Sequence, residues 1–217
     1  MNIPMDDRTD IFIASLEKGN GTFLDELEDK AIGDGVPIIK KPVQGLLRVL
    51  LKLKRPANVL EIGTAVAFSS ILMATYGPED MRIVTIEDYE KRVPLARENI
   101  KKAGFEEKIE VIFKDANEVL PEMEPGFDLI FIDAAKAQYI NYLPEALRLL
   151  NNGGIMLADN CLQGGDILES KFIVERRDRT IHKRMREFLY AVENDDRLTT
   201  TILTIGDGVA LSVKNEK

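Results

Sequence analysis

Cysteine, histidine and tryptophan are scarce in this sequence, whose 217 residues include one cysteine, one histidine and no tryptophan. A single cysteine excludes a disulfide framework, so we expect a cytoplasmic protein in which Cys161 is a small packing residue. The single histidine, His182, has no acidic partner or nucleophile paired with it in the sequence, and we interpret it as a surface residue.

Excess positive charge and long apolar runs are missing as well. The net charge is −8 and the pI is about 4.9, which argues against bulk affinity for nucleic acids or membranes. No apolar run approaches the ~18 residues of a membrane span. Residues 1–10 show neither a basic nor an apolar signal region, so we expect no signal peptide.

The length and the order of the patterns predict one α/β domain over residues 1–217. Residues 1–55 contain apolar residues at helical spacing, which predict three amphipathic helices before the first strand. We interpret them as a cover that closes over a site or forms the interface of a homodimer. Residues 56–217 then alternate strands and helices, which predicts a mostly parallel sheet.

The last part of this core has a different pattern. Residues 151–154 are predicted to form a turn before the strand Ile155–Ala158. Two final strands, over 199–205 and 209–213, are joined by a Gly-Asp-Gly hairpin signal, which predicts an antiparallel pair.

The first βα turn is the centre of the pattern, and residues 58–69 read NVLEIGTAVAFS. An apolar strand ends at Gly63, small residues follow, and a helix begins at Phe68. Dinucleotide-binding turns need a second glycine so that the backbone can approach a pyrophosphate. With Gly63 alone, a nucleoside cofactor without phosphates fits better, and we expect S-adenosylmethionine.

Each predicted parallel strand ends in or next to an acidic residue: Glu61, Glu87, Asp115, Asp133 and Asp159. One such acid is usually a turn former or a helix cap. Five of them predict a ligand site, because ligands bind beyond the carboxyl ends of the strands in open α/β sheets. Glu87 lies 24 residues beyond Gly63, close to the spacing at which an acid binds ribose hydroxyls.

Asp133, Asp159 and Asn160 offer only oxygen ligands, which is the chemistry of Mg²⁺ or another hard divalent cation. Lys136 follows Asp133 by three residues, so the two share a face if a helix begins there. A nearby divalent cation would disfavour the protonated ammonium, which makes Lys136 a candidate general base. The alternative for Lys136 is an ordinary solvated lysine.

Three segments together resemble the metal-dependent O-methyltransferases of the catechol and caffeoyl-CoA type, which are class I S-adenosylmethionine enzymes: LEIGTAVAFS at 60–69, FDLIFIDAAKAQY at 127–139 and LADN at 157–160. The resemblance implies a Rossmann-like, seven-stranded sheet with the last strand antiparallel. It implies Asp133, Asp159 and Asn160 as metal ligands and Lys136 as the catalytic base. The cofactor-binding residues that it implies are Ile39, Glu61, Gly63, Ser69, Glu87, Asp115, Ala116, Asp133 and Tyr139. In this assignment Glu87 holds the ribose, Ser69 holds the methionine carboxylate, and Tyr139 lies beside the sulfonium. The chain departs from the family at Ala67, where glycine is usual.

A basic segment follows the proposed metal ligands. Residues 171–187 contain seven basic and three acidic residues, for a local charge of +4. Such a run is usually a solvated helix face. The C-terminal third, however, also resembles bacterial tRNA 5-hydroxyuridine methyltransferases, which implies a tRNA anticodon loop as partner. The candidate tRNA contacts are Arg176, Arg177, Arg179, Lys183 and Arg184.

Two alternatives stay open beside the tRNA substrate. One is a small catechol-type substrate with two vicinal oxygens, which the absence of tryptophan disfavours mildly because no flat indole can clamp the ring. The other is a cofactor-binding regulatory protein without catalysis, and the intact set of Asp133, Lys136, Asp159 and Asn160 argues against it.

Overall fold

The computed structural model describes residues 11–13, 15–170 and 174–216, apart from the side chains at 163, 164 and 166. Its strands are β1 Asn58–Ile62, β2 Arg82–Glu87, β3 Ile109–Phe113, β4 Phe127–Ile132, β5 Leu150–Ala158, β6 Leu198–Leu203 and β7 Val209–Lys214. They form one sheet in the order β3-β2-β1-β4-β5-β7-β6. The strands β1 to β5 are parallel, and β7 is antiparallel to both of its neighbours, as expected.

The strand order reverses between β1 and β4, which is where α/β sheets open a crevice for ligands. The register pairs Ile62 with Ile86 on one side and with Ile132 on the other, and Ile132 with Ala158. Four strands therefore end at one level. The residues that follow each strand emerge side by side at this edge.

Helices cover both faces of the sheet. Their bounds are α1 Thr22–Gly33, α2 Lys41–Lys54, α3 Phe68–Tyr76, α4 Val93–Lys102, α5 Ala116–Val119, α6 Tyr139–Leu149 and α7 Arg179–Asn194. Short 3₁₀ turns span Leu120–Glu122, Lys136–Gln138 and Gln163–Leu168. Buried residues of α1 to α4 form one core, and those of α5 to α7 form the other. None of the described helices is long and apolar enough to cross a membrane.

The first of the three predicted N-terminal helices is described only in part. Residues 11–13 and 15 are helical, and residues 1–10 and 14 lie outside the described residues. Its apolar side chains Ile11, Phe12 and Leu16 are largely exposed. The second and third predicted helices are α1 and α2.

The prediction of a turn at 151–154 is wrong, because β5 begins at Leu150 and includes these residues. The pairing with β4 jumps from Phe127–Leu150 to Leu129–Ile155, so the extra residues bulge out of the ladder. The Asp128 carboxylate holds the bulge by accepting a 3.0 Å hydrogen bond from Asn151 Nδ2. Turn-forming residues within a strand thus mark a bulge here.

The interpretation of His182 as a surface residue is also wrong. His182 is 4% exposed, and its Nε2 lies 3.0 Å from the carbonyl oxygen of Glu169. Its partner is a backbone group, which a search for acidic side chains in the sequence does not find. Cys161 is fully buried, in agreement with its predicted packing role.

Candidate active site

Gly63 ends β1 at a position where the chain admits no side chain. Its φ is +102°, and a Cβ built there would lie 2.0 Å from the carbonyl oxygen of Asp133. The approach is close because Asp133 N donates to Ile62 O at 2.9 Å, which joins the ends of β1 and β4. Glycine is therefore required by the approach of two strand ends.

The turn continues in an unfavourable backbone conformation. Ala65 and Ala67 have φ values of +47° and +66°, although neither is glycine. Ala67 is fully buried at the start of α3. A left-handed conformation costs a non-glycine residue about 1–2 kcal/mol, so the departure from the family at Ala67 has a conformational cost.

Glu87 is held against this turn by backbone donors. Its Oε2 accepts a 2.7 Å hydrogen bond from Ala65 N, and its Oε1 accepts a 3.0 Å bond from Tyr89 N. The side chain is 7% exposed and lines a cavity. A carboxylate fixed in this way can accept further hydrogen bonds from a diol such as a ribose.

Two acids lie close together at the ends of β4 and β5. Burial, followed by the charge of Asp133, raises the pKa of Asp159 to about 7. Desolvation also raises the pKa of Asp133. Asn160 contacts both, because its Nδ2 donates to Asp133 Oδ1 at 2.8 Å and its backbone N donates to Asp159 Oδ1 at 2.7 Å.

This donor set fits a hard cation. In the described part of the chain, no three His, Cys, Asp or Glu side chains gather as a metal site, so any centre here consists of two carboxylates and an amide. Two desolvated carboxylates that repel each other would be stabilised by a divalent positive charge. Asn160 also has a φ of +61°, a left-handed conformation that asparagine tolerates better than most residues.

Lys136 begins the turn Lys136–Gln138, between β4 and α6. The side chain is half-buried and lines the same cavity as Asp133 and Asn160. Among the described residues, no group forms a hydrogen bond or an ion pair with its ammonium.

One cavity of about 540 Å³ joins these elements. Six predicted site residues line it: Gly63, Glu87, Ala116, Asp133, Lys136 and Asn160. The other predicted residues around the sheet edge do not: Ile39, Glu61, Ser69, Asp115, Tyr139 and Asp159.

Glu61 and Ser69 lie behind the turn in a buried polar network. Glu61 accepts hydrogen bonds from Ser69 at 2.5 Å, from Thr85 at 2.6 Å and from Ser70. Burial raises the pKa of Glu61 to about 7, against the lowering effect of these three hydroxyls. In this structure the hydroxyl of Ser69 therefore donates its hydrogen bond to Glu61.

The remaining predicted cofactor residues have local partners. Ile39 is buried, and its carbonyl accepts a 2.8 Å bond from Gln44 Nε2. The exposed Asp115 caps α5 by accepting a 2.8 Å bond from Asn117 N. Tyr139 is fully buried, and its hydroxyl donates to the carbonyl of Asp159 at 3.0 Å.

Sequence reasoning missed several residues that line the cavity, among them Tyr89, Arg92, Tyr142 and Asp207. Tyr89 and Arg92 stack at 5.4 Å on the loop after β2, and Tyr142 lies one helical turn beyond Tyr139. Proximity in sequence to Glu87 and Lys136 could have indicated all three. Asp207 belongs to the hairpin that was predicted only as a turn, so nothing local indicated its position.

None of the five predicted tRNA contacts lines this cavity. Arg179, Lys183 and Arg184 line a separate open groove of about 1300 Å³. Arg177 pairs with Glu175 at 3.0 Å, and Arg176 is exposed. Lys171, which contributes to the local charge of +4, lies outside the described residues.

Comparison with known proteins identifies the family. The model of the O-methyltransferase family matches residues 17–215. A catechol O-methyltransferase of Niastella koreensis is 38% identical over 141 residues, which are 62% of this chain and 64% of that protein, slightly less than two thirds of its length. A caffeoyl-CoA O-methyltransferase of Populus kitakamiensis is 33% identical over 76% of this chain and 73% of its own.

A solved structure extends the comparison to the fold. The O-methyltransferase from Bacillus cereus in complex with SAH superposes with a TM-score of 0.84 at 26% identity, over 96% of this chain and 97% of that chain. The chain therefore belongs to the O-methyltransferase family of the catechol and caffeoyl-CoA type. The predicted enzyme class, an S-adenosylmethionine-dependent O-methyltransferase, is confirmed.

Proposed function

We propose that this protein methylates one of two adjacent oxygens on a small phenolic substrate, with S-adenosylmethionine as donor and a hard divalent cation in the site. The observation that carries the proposal is the single cavity that joins Glu87 at one end to Asp133, Lys136 and Asn160 at the other. The catechol and caffeoyl-CoA O-methyltransferases among the relatives support the same substrate class.

Each of these residues has a role that follows from its position. Glu87, fixed by two backbone donors, would accept hydrogen bonds from the ribose hydroxyls of the cofactor. S-adenosylmethionine supplies the electrophilic methyl group when it is bound. Asp133, Asp159 and Asn160 would hold the cation, which supplies a positive charge that makes a neighbouring hydroxyl more acidic.

Lys136 would then remove the proton from that hydroxyl at Nζ. It suits this role because it lines the cavity and no described residue holds its ammonium elsewhere, so the side chain can turn toward the substrate hydroxyl. The resulting oxyanion would form a bond to the methyl carbon while the bond from that carbon to sulfur breaks, and S-adenosylhomocysteine would leave.

A matched pair of isomers tests the proposal. Catechol and resorcinol differ only in whether the two hydroxyls are adjacent, so a site selective for vicinal oxygens should methylate catechol alone. The protein is incubated with labelled cofactor and Mg²⁺, and the products are identified by mass spectrometry. Equal methylation of both isomers would contradict the proposal.

A second candidate substrate is a 5-hydroxyuridine in a tRNA anticodon loop. The exposed Arg176, Arg177 and Lys183 favour it, because phosphate-binding cations need to face solvent. The 5-hydroxyl and the 4-oxo group of that base are also vicinal oxygens. Arg184 and Arg179 support it less, since each donates to a backbone carbonyl of its own chain, of Ala137 and Val174 respectively.

Nucleoside mass spectrometry of tRNA after incubation with labelled cofactor tests this candidate. If the segment binds phosphates, Arg176→Ala combined with Arg177→Ala should raise the KM for tRNA. Each lost contact should flatten the log–log salt dependence of binding by roughly 0.7. If the double variant methylates tRNA as well as the parent at every salt concentration, the basic segment is only a solvated helix face. If the parent does not methylate tRNA at all, this candidate is excluded.

The homodimer stays a prediction. The exposed Ile11, Phe12 and Leu16 of the N-terminal cover, together with Val49 and Leu53 of α2, offer apolar surface for it. Sedimentation velocity measures the state directly.

A further inference from the structure

The position of Lys136 depends on the backbone of its turn. Among the described residues, the ammonium has no hydrogen-bond or ion-pair partner that could fix the side chain. A flexible lysine with no hydrogen bond or ion pair at its tip is placed mainly by where its Cα lies and how its backbone is oriented. The contacts of the turn Lys136–Gln138 therefore decide where the amine can reach.

One side chain from a distant element holds that turn. Arg184 of α7 donates from Nη1 to the carbonyl oxygen of Ala137 at 3.1 Å, across 47 residues of sequence. The other backbone bond at the turn is local, from Gln138 N to Ala135 O at 2.8 Å. In the described part of the chain, no other remote group bonds to the backbone of this turn.

The helix that carries Arg184 is itself fixed beside the turn. Phe188, one helical turn beyond Arg184, packs edge-on against the ring of Tyr139 at 5.5 Å. Met185 and Phe188 are fully buried in the core of this face. Tyr139 follows the turn directly and is bonded to the carbonyl of Asp159, so α7, the turn and the end of β5 form one packed unit.

We propose that Arg184 is a positioning residue for Lys136, and the proposal rests on the role of Lys136 proposed above. Its guanidinium fixes the Ala137 carbonyl, and through it the peptide that follows Lys136. This assignment differs from the phosphate contact suggested by the basic segment, because a positioning residue matters for substrates of any charge. Catechol carries no phosphate, so it separates the two roles.

Three variants and the parent, assayed with catechol, test the proposal. Arg184→Ala removes the bond, and Arg184→Lys keeps a cationic donor of similar reach. Arg186→Ala is the matched control. Arg186 is two residues away on the same helix, and it donates to the carbonyl oxygen of Ile167, in the turn Gln163–Leu168, at 2.9 Å. The measurements are kcat, KM for catechol, the calorimetric Kd for S-adenosylmethionine, and Tm.

Arg184→Ala should lower kcat roughly tenfold, because small displacements of a catalytic group have large rate effects. The KM for catechol and the cofactor Kd should stay within about twofold, since the groups that hold both ligands are unchanged. Arg184→Lys should recover most of the lost kcat, and Arg186→Ala should keep the parental kcat. This split between kcat and KM distinguishes positioning from a general loss of folded protein.

Two results would contradict the inference. If Arg184→Ala matches Arg186→Ala in kcat, or if Arg184→Lys is as slow as Arg184→Ala, the inference is wrong. Lys136→Ala separates this failure from that of the proposed function. A parent that does not methylate catechol, or a Lys136→Ala variant as active as the parent, overturns the proposed function and this inference with it.

Discussion

Glu61 at the end of β1 and Asp159 after β5 are both buried acids at the same edge of the sheet, and the pKa of each is raised to about 7. Their partners differ. Glu61 accepts bonds from the hydroxyls of Ser69, Ser70 and Thr85, and it is closed off from the cavity. Asp159 accepts one hydrogen bond from a backbone N–H, and the negative charge of the neighbouring Asp133 disfavours its ionised form.

The comparison separates an acid with a structural role from one that we propose as a metal ligand. Three hydroxyl donors satisfy Glu61 within the protein, so its site is complete. The carboxylates of Asp133 and Asp159 each accept a hydrogen bond from Asn160 but repel each other, and Asp133 lines a cavity that a ligand can enter. An equal pKa shift therefore does not mean an equal function, and the donors around each acid decide between the two.

We expect the largest effect at the acids proposed to hold the cation. Asp159→Asn keeps the shape of the side chain but removes a charge needed to hold a divalent cation. We expect kcat to fall at least about a hundredfold, because a catalytic cation contributes several kcal/mol to the transition state. EDTA should do the same to the parent, and Mg²⁺ should restore it, while calorimetry shows that the cofactor still binds.

Asp128→Asn is the control for that change, since Asp128 lies at the opposite end of the sheet and holds the bulge of β5. It should keep Mg²⁺-dependent turnover. Full activity of the parent in excess EDTA would exclude the metal site.

For Glu61 we expect an effect on the stability of the fold rather than on catalysis. The pKa of Glu61 is higher in the folded state than its ordinary value of 4.5. The folded state therefore binds more protons between about pH 4.5 and 7, and its stability falls as pH rises through this range. Glu61→Gln imitates the protonated acid and removes this loss.

The unfolding free energy of Glu61→Gln, relative to the parent, should thus increase between pH 4.5 and 7 by up to on the order of 3 kcal/mol. Urea unfolding across this pH range measures it. The exposed Glu110→Gln is the matched control. A difference between Glu61→Gln and the parent that does not vary with pH would mean that Glu61 stays charged in the folded protein.

Glu87 combines features of Glu61 and Asp159. Backbone donors fix its carboxylate, and the residue lines the cavity. Glu87→Gln should weaken cofactor binding by about 1.5–3 kcal/mol, the usual contribution of hydrogen bonds to a charged group. Titration calorimetry with S-adenosylmethionine tests this. Glu90→Gln removes the same charge from a nearby exposed residue that does not line the cavity, and an equal loss in both variants would indicate a general charge effect.

The smallest expected effect concerns the turn between these sites. Ala67→Gly should relieve the left-handed conformation and stabilise the fold by about 1 kcal/mol, after the greater freedom of glycine in the unfolded chain is subtracted. Ala103→Gly should destabilise it, since Ala103 has a φ of −76° and no strain to relieve. Both are measured by urea unfolding. No gain in Ala67→Gly would mean that the turn tolerates alanine without cost.

Much of the architecture could be predicted from the sequence because its signals are local. The strand that ends before Gly63, the helix that begins at Phe68 and the final antiparallel pair lie where they were predicted, since apolar runs and helical periodicity depend only on neighbours along the chain. The bulge of β5 escaped prediction because the pairing of Asp128 with Asn151 is not local. His182 escaped it because its partner is a backbone carbonyl.

The sequence by itself determined the class of the protein, the sheet with its antiparallel last strand, and the place of Gly63, Glu87, Asp133, Lys136 and Asn160 at strand ends. The class and the antiparallel last strand follow from the resemblance of three sequence segments to a known family. The strand-end positions follow from alternation, spacing and the rule that parallel strands end at one edge. Only the tertiary structure decided which acid is satisfied internally, which cation of α7 holds the turn of Lys136, and that Asp207 reaches the cavity. Those facts depend on contacts between residues far apart in sequence, and the distances that set hydrogen bonds and desolvation exist only once the chain is folded.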